Sequence, residues 1–255
     1  GGDGVEGRWS SYWDERYKLE EHKEWLVGYN QLSGLVASHC EGRGREPTGA
    51  RILHLGCGTS RMSEEMYDEG YHDIVNVDLS AVCVEKMRVR NAGTRPDMEW
   101  LVADASDLSQ FETGSFDMVL DKSTLDAVAC TRNRRSMFML LAEVSRVLKP
   151  GGTYLLVTLN TGLLADPSCL KNPAFGFDIE AFPLERWDEG PRKVGVLCCR
   201  KMPEADRLRE ELMPEILEWL AGLAAPEAQE PPTVPSAEYL RLTADKLATT
   251  FSFVD

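Results

Sequence analysis

The sequence is short of what several protein classes require. Basic residues are scarce: 28 lysines and arginines stand against 42 acids, for a net charge of -14. With no basic surplus to displace counterions from phosphate, nucleic acid is not expected as a partner. The acidity suits solubility or a basic protein partner. The seven cysteines (40, 57, 83, 130, 169, 198 and 199) include no C-x-x-C pair, are odd in number and mostly sit in apolar runs. That excludes a disulfide frame and a zinc site and points to reduced, buried thiols in a cytosolic-type protein, with no metal expected. The histidines at 22, 39, 54 and 72 have no ligand spacing; His54, inside an apolar run, reads as a satisfied buried imidazole. No run approaches the ~18 apolar residues of a membrane span, and no signal peptide is visible, so a cytoplasmic location is expected. The chain opens Gly-Gly-Asp without methionine and stops at Asp255, which reads as a piece of something longer.

What is present is a strand–turn–helix–strand unit. Residues 51–58 read Arg-Ile-Leu-His-Leu-Gly-Cys-Gly, and twenty-two positions after Gly56 the run Ile74-Val75-Asn76-Val77 closes on Asp78. An apolar strand, a glycine turn, a helix and a second strand ending in a carboxylate form the first half of a doubly wound α/β nucleotide site. Around it, strands are expected at 51–55, 74–78, 98–102, 116–121 and 153–158, with helices near 60–69, 80–91 and 134–148, the last stopped by Pro150-Gly151-Gly152. Such alternation means a mostly parallel sheet covered on both faces. Residues 9–41 read as a helical cap, 161–190 as an irregular insertion, and 177–182 with 193–199 as an antiparallel pair at the sheet edge. An amphipathic helix is expected at 204–222, a linker at 225–236 and a last helix at 236–249. The domain reading is a lid over 1–45, a core over 46–202 and a helical extension over 203–255.

The turn holds no third glycine, since Arg61 takes that place, and no Gly-Lys-Ser/Thr follows. Neither a dinucleotide pyrophosphate nor a triphosphate is indicated. The ligand suggested is a nucleoside without phosphates, and S-adenosylmethionine fits, with a ribose diol for Asp78 and a sulfonium that tolerates an acidic surround. Gly56 and Gly58 would let the backbone approach it. Asp78 could also cap the next helix, a role for which Ser80 competes, and since both roles can coexist ribose binding is the favoured one. Asp104, after the third strand, could accept from an adenine amino group or serve as a loop aspartate. Asp121 and Lys122 end the fourth strand, where the crevice of an open α/β sheet lies; Asp121 is the candidate acceptor or orienter of a substrate ammonium. Trp13, Tyr17 and Trp25 recur at helical spacing and are either core or a lid whose rings cover the cofactor, with cation–π attraction on offer.

Four elements carry a family resemblance: Tyr12-Trp13-Asp14-Glu15-Arg16-Tyr17, the Leu-Gly-Cys-Gly turn, Ile-Val-Asn-Val-Asp-Leu-Ser, and Leu-Asp-Lys-Ser-Thr-Leu-Asp-Ala. Over about residues 9–160 the chain resembles the methyltransferase-like proteins that methylate lysines of translation elongation factor 1-alpha, especially the N-terminal domain of the two-domain member. The resemblance implies a seven-stranded class I (Rossmann-like) methyltransferase fold of strand order 3-2-1-4-5-7-6. It also implies cofactor contacts from Trp13, Tyr17, Trp25, Gly56, Asp78, Leu79, Asp104, Ala105 and Lys122, S-adenosylhomocysteine as product, and a protein-lysine target on elongation factor 1-alpha. Ser123 stands where the family usually has glycine, and His54 where relatives tend to carry an apolar residue. The absence of Asn/Asp-Pro-Pro-Tyr removes the usual signal for methylating a planar base or amide nitrogen. The alternatives are methylation of a small molecule, an aminopropyltransferase-like enzyme, and a cofactor-binding scaffold without turnover.

Overall fold

A computed structural model describes residues 5–40, 49–131, 133–159, 170–185 and 193–222. The expected 225–236 linker and 236–249 helix, and Cys169, lie outside these residues.

Seven strands form one sheet in the order β3-β2-β1-β4-β5-β7-β6. β1 (Ile52–Leu55), β2 (Ile74–Asp78), β3 (Glu99–Val102), β4 (Phe116–Lys122) and β5 (Leu148–Thr158) run parallel. β6 (Phe177–Glu185) and β7 (Lys193–Lys201) pair antiparallel with each other, and β7 antiparallel with β5. This is the expected α/β sheet and edge pair. Being buried on both faces, β1 and β2 need apolar groups on both, and all of their residues are buried.

Strand parity divides the core into two. Ile52, Ile74, Met118, Leu120, Leu155 and Val157 face one cluster, packed by α2 (Ser33–Cys40), α3 (Met62–Asp68) and α4 (Ala81–Asn91). Leu53, Val75, Val119, Tyr154, Leu156 and Leu197 face the other, covered by α5 (Thr124–Cys130) and α6 (Arg134–Val147). Leu212, Met213 and Ile216 of α7 (Ala205–Gly222) pack on this second cluster. Each fully buried leucine contributes roughly 1.5–3 kcal/mol of transfer free energy.

Three expectations need correction. The 9–41 cap is not one continuous helix: α1 (Val5–Leu19) stops, residues 20–28 run non-helically, and a 3-10 turn at Tyr29–Gln31 leads into α2. The backbone leaves helical space at Leu26, whose φ is 60°. Second, β5 does not start after Pro150-Gly151-Gly152. It starts at Leu148, and the register against β4 jumps between Phe116↔Leu148 and Met118↔Thr153, so these residues form an irregularity inside the strand rather than a break before it. Third, the edge strand expected at 177–182 is there but runs on to Glu185, and a 3-10 turn at Pro173–Phe175 precedes it within the stretch read as irregular; residues 160–169 and 186–192 lie outside the description.

Candidate functional site: the crevice at the ends of β1 to β4

The chain leaves β1 through Gly56 and Gly58, with φ of 60° and 51°, left-handed values that a side chain resists. Space forbids a side chain as well. A Cβ at Gly56 would lie 2.1 Å from Thr124 Oγ1, whose hydroxyl is fixed by donating to the Leu55 carbonyl at 2.8 Å. At Gly58 it would lie 2.9 Å from Tyr17 Oη. The turn is fastened to β2 by Cys57 N–H donating to Val77 O, and Gly58 N–H donating to Asp78 Oδ2, each at 2.9 Å.

Asp78 ends β2 with 6% exposure, and its other oxygen accepts Ser80 N–H at 2.9 Å. The helix cap itself is Ser80, whose Oγ accepts Cys83 N–H at 3.1 Å. Asp78 is thus left to join the glycine turn to the β2–α4 loop with two N–H bonds, and its carboxylate retains acceptor capacity. Burial pushes its pKa up to about 6 against those hydrogen bonds. Leu79 follows, half-buried. Asp104, past β3, accepts Ser106 N–H and Oγ–H, both on Oδ1 at 2.7 Å; it and Ala105 are half-buried. The ends of β2 and β3 are tied by Ala103 N–H donating to Asp78 O.

The N-terminal segment closes over this turn. Asp14 Oδ1 accepts from Ser80 Oγ at 2.5 Å and Val82 N–H at 3.2 Å, and Lys86 Nζ caps the end of α1 through Tyr17 O and Glu20 O. α1 is therefore held at both places by α4. Tyr17, 5% exposed, stacks on Trp13 with ring centroids 5.8 Å apart. The non-helical stretch straps down the loop after the glycines. His22 bonds Thr59 O, Lys23 N–H donates to Thr59 Oγ1, and Glu24 accepts from Ser60 Oγ and Arg61 N–H. From below, buried Lys122 donates to Glu24 and to Trp25 O. Burial lowers the Lys122 pKa, opposed by Glu24. The structure thus brings Trp13, Tyr17, Trp25, Gly56, Gly58, Asp78 and Lys122 around one crevice. Sequence reasoning missed Arg16 and the strap residues His22, Thr59 and Glu24. Arg16 lies inside the Tyr-Trp-Asp-Glu-Arg-Tyr motif, and that was the available signal.

Asp121 is a correction. It shows no exposure and accepts from Tyr154 Oη at 2.8 Å, Thr124 N–H at 2.8 Å and Leu125 N–H at 3.2 Å. It shares the face of Val119 and Tyr154, away from Lys122, and its bonds anchor the start of α5. Burial raises its pKa to about 7. Close by, Asp126 accepts from Thr158 Oγ1 and Leu159 N–H, and Ser123 is a non-glycine at φ 71°.

His54 is the satisfied imidazole expected. Ser63 Oγ donates to Asn76 Oδ1 at 2.5 Å and so accepts from His54 Nδ1–H at 2.7 Å, which places a ring proton on Nδ1. Burial first, then Lys122, lowers its pKa to about 3. Six cysteines among the described residues are free thiols. Cys57, Cys83 and Asp78 place three ligand atoms within 4.8 Å of one another. The hydrogen bond to Cys57 and then burial hold the Cys83 thiol far up, which opposes the thiolates a metal needs. Outside the strap, a cleft of about 370 Å³ is lined by Glu24, Glu65, Glu69, His22, Tyr29 and Arg61, among others. No described helix is long and apolar enough to cross a membrane.

Residues 53–156 match the family model described as a methyltransferase domain. The eEF1A lysine and N-terminal methyltransferase of Danio rerio is 39% identical over 152 residues, covering 59% of this chain and 21% of that protein. The Homo sapiens protein of the same name is 39% identical over 153 residues, 58% of this chain and 21% of its own length. EEF1A lysine methyltransferase 4 of Mus musculus is 35% identical over 162 residues, 58% of this chain and 59% of that one. The chain thus spans about one fifth of the length of the first of these relatives. Among solved structures, magnesium protoporphyrin IX methyltransferase from Synechocystis PCC 6803 with bound SAM superposes with a TM-score of 0.58, at 12% identity over 78% of this chain and 97% of that one. PH0226 protein from Pyrococcus horikoshii OT3 gives 0.52, at 19% identity over 74% and 98%. At such identities these two speak for the fold. Strand order and the superposed structures show the class I methyltransferase fold, and within it the chain is similar to the methyltransferase-domain family over residues 53–156 and to the eEF1A lysine methyltransferases.

Proposed function

We propose that the protein is an S-adenosylmethionine-dependent methyltransferase that N-methylates a lysine of a protein substrate, with eEF1A as the target. The observation that carries the reading is the buried Asp78 carboxylate beside the side-chain-free Gly56–Gly58 turn, under the rings of Trp13 and Tyr17. The residues fit the cofactor. Asp78 would take the ribose hydroxyls, Leu79, Asp104 and Ala105 the adenine side, and Lys122, Trp13, Tyr17 and Trp25 the remainder. S-adenosylmethionine supplies an electrophilic methyl group on a sulfonium.

The chain's own part is positioning and exclusion of water. The strap over residues 59–61 closes one side of the crevice, and a lysine amine entering past Ser123 and Asp126 would meet the methyl there. A lysine with pKa near ~10.4 must shed a proton first, and desolvation in the crevice favours the neutral amine. With Asp121 engaged elsewhere, the proton leaves to water. Support for a basic protein partner comes from the net charge of -14, the acidic cleft and the relatives' names. The same charge speaks against nucleic acid. We assign the lid to residues 1–45, the core to 46–202 and a helical extension to 203–255, in a cytoplasmic protein.

Incubating the protein with labelled S-adenosylmethionine and recombinant eEF1A, followed by mass spectrometry, tests the proposal. Methylated lysine on eEF1A is the expected result. Label confined to a small-molecule fraction would replace it with the metabolite reading.

A further inference from the structure

Trp9 Nε1 and Arg16 Nη2 on α1, and Glu20 Oε1 just past its end, are shut off from solvent with no partner, and the last two belong to neighbouring side chains of opposite charge. Arg16 is only 3% exposed. The contact between the two side chains is a single Arg16 Nε–Glu20 Oε2 bond at 3.4 Å, the long limit of a hydrogen bond. A donor and an acceptor of opposite charge thus lie side by side and unmet, a costly arrangement unless a ligand completes it.

Their position says which part of a ligand they face. Residues 13, 16 and 17 fall on one face of α1, Glu20 follows directly after its last residue, and on that face Tyr17 Oη sits over Gly58. The Arg16 guanidinium lies between two indoles, 5.2 Å from the Trp13 centroid and 4.7 Å from that of Trp25. Trp25 O in turn accepts from Lys122 at the end of β4. In the order β3-β2-β1-β4, a nucleoside with its ribose on Asp78 and its base toward Asp104 runs its other end across the glycine turn toward β4. That end arrives beneath Arg16. In S-adenosylmethionine it is an α-amino acid, one carboxylate and one ammonium.

We propose that Arg16 and Glu20 form a clamp for the amino-acid end of the cofactor, Arg16 Nη2 donating to the carboxylate and Glu20 Oε1 accepting from the ammonium. This rests on the cofactor reading above. It gives the site a means to prefer the complete amino acid over decarboxylated S-adenosylmethionine, the substrate form that an aminopropyltransferase would use.

Titration calorimetry with three ligands tests it. S-adenosylhomocysteine carries the amino acid, 5′-methylthioadenosine lacks it, and decarboxylated S-adenosylmethionine keeps only the ammonium. Arg16→Gln should weaken S-adenosylhomocysteine by about tenfold to a hundredfold and leave 5′-methylthioadenosine within about threefold. Glu20→Gln should weaken S-adenosylhomocysteine and decarboxylated S-adenosylmethionine alike, and Arg16→Lys should restore part of the Arg16→Gln loss. An arm free of folding effects uses the unmutated protein, which should bind S-adenosylmethionine about tenfold or more tighter than its decarboxylated form. Equal affinity in that arm overturns the clamp, as does an equal loss of both S-adenosylhomocysteine and 5′-methylthioadenosine in Arg16→Gln. If the unmutated protein binds neither of those two, the cofactor reading itself fails. If it binds both and the substitutions change nothing, only the clamp fails.

Discussion

The two halves of the sheet are built from similar apolar strands and finish them differently. In β2-β1-β4 the carboxyl ends carry Asp78, the Gly56–Gly58 turn and Lys122, each tied to a neighbouring element, while Asp104 just past β3 is held within its own loop by Ser106. In β5-β7-β6 the strands are antiparallel, and Val194 to Cys199 are buried without a break. The family match stops at residue 156, inside β5. One half is thus a candidate site with a sheet under it, and the other a sheet that lies mostly beyond the family match.

The sharpest way to break that comparison is a pair of substitutions. Gly56→Ala forces a side chain into a left-handed turn against Thr124 and should cost about 2–5 kcal/mol of stability and abolish cofactor binding. Leu197→Ala, buried in β7, should cost a similar ~2–5 kcal/mol by opening a cavity yet leave cofactor affinity unchanged in the folded fraction. Denaturant melts and calorimetry read both, and loss of affinity in Leu197→Ala would show that the halves are not separable.

Next in size is a pH effect at the seam. Asp121 and Asp78 have folded pKa values raised to about 7 and about 6, mainly by burial. A carboxyl whose folded pKa is raised stabilises the fold most below its unfolded value near ~3.9 and loses that contribution as pH climbs through the folded value. The contribution of these two groups to stability should therefore fall between pH ~4 and ~7, and Asp121→Asn should flatten part of the slope in denaturant melts run across that range. An unchanged slope in the variant would remove Asp121 from the account.

Asp78→Ala should weaken S-adenosylhomocysteine by roughly 1–3 kcal/mol through a lost charge-assisted hydrogen bond. Full affinity would reduce Asp78 to a turn fastener. The smallest effect is Ser123→Gly. Relief of the left-handed φ of 71° should raise stability by about 1 kcal/mol, with cofactor affinity intact and any change confined to the rate on a protein substrate.

Much of the crevice was legible in the sequence because its signals are local. A glycine turn after an apolar run, and a carboxylate closing the next strand, need only short spacings to be seen. Asp121 was misread because β4 is buried on both faces and shows no apolar–polar alternation, so nothing in its sequence told that residue's side from Lys122's. The strap at residues 20–28 was read as helix because its bonds reach across to Thr59, Ser60 and Arg61, partners more than thirty positions away. Pro150-Gly151-Gly152 looked like punctuation, and the pairing with β4 absorbed it as a register jump.

The double fastening of α1 to α4 has a mechanical consequence. Asp14 is bound at the start of α4 and the α1 carboxyl end by Lys86 one turn on, while α4 itself begins just past Asp78. The aromatic rings on α1 and the Asp78 carboxylate therefore ride on one unit and do not separate by tilting of that helix. Whatever opens the crevice must bend after Glu20, in the stretch where Leu26 already sits at a positive φ. What holds that stretch to the glycine turn is the handful of bonds from residues 22–24 to residues 59–61, the part of the enclosure that α4 does not fasten.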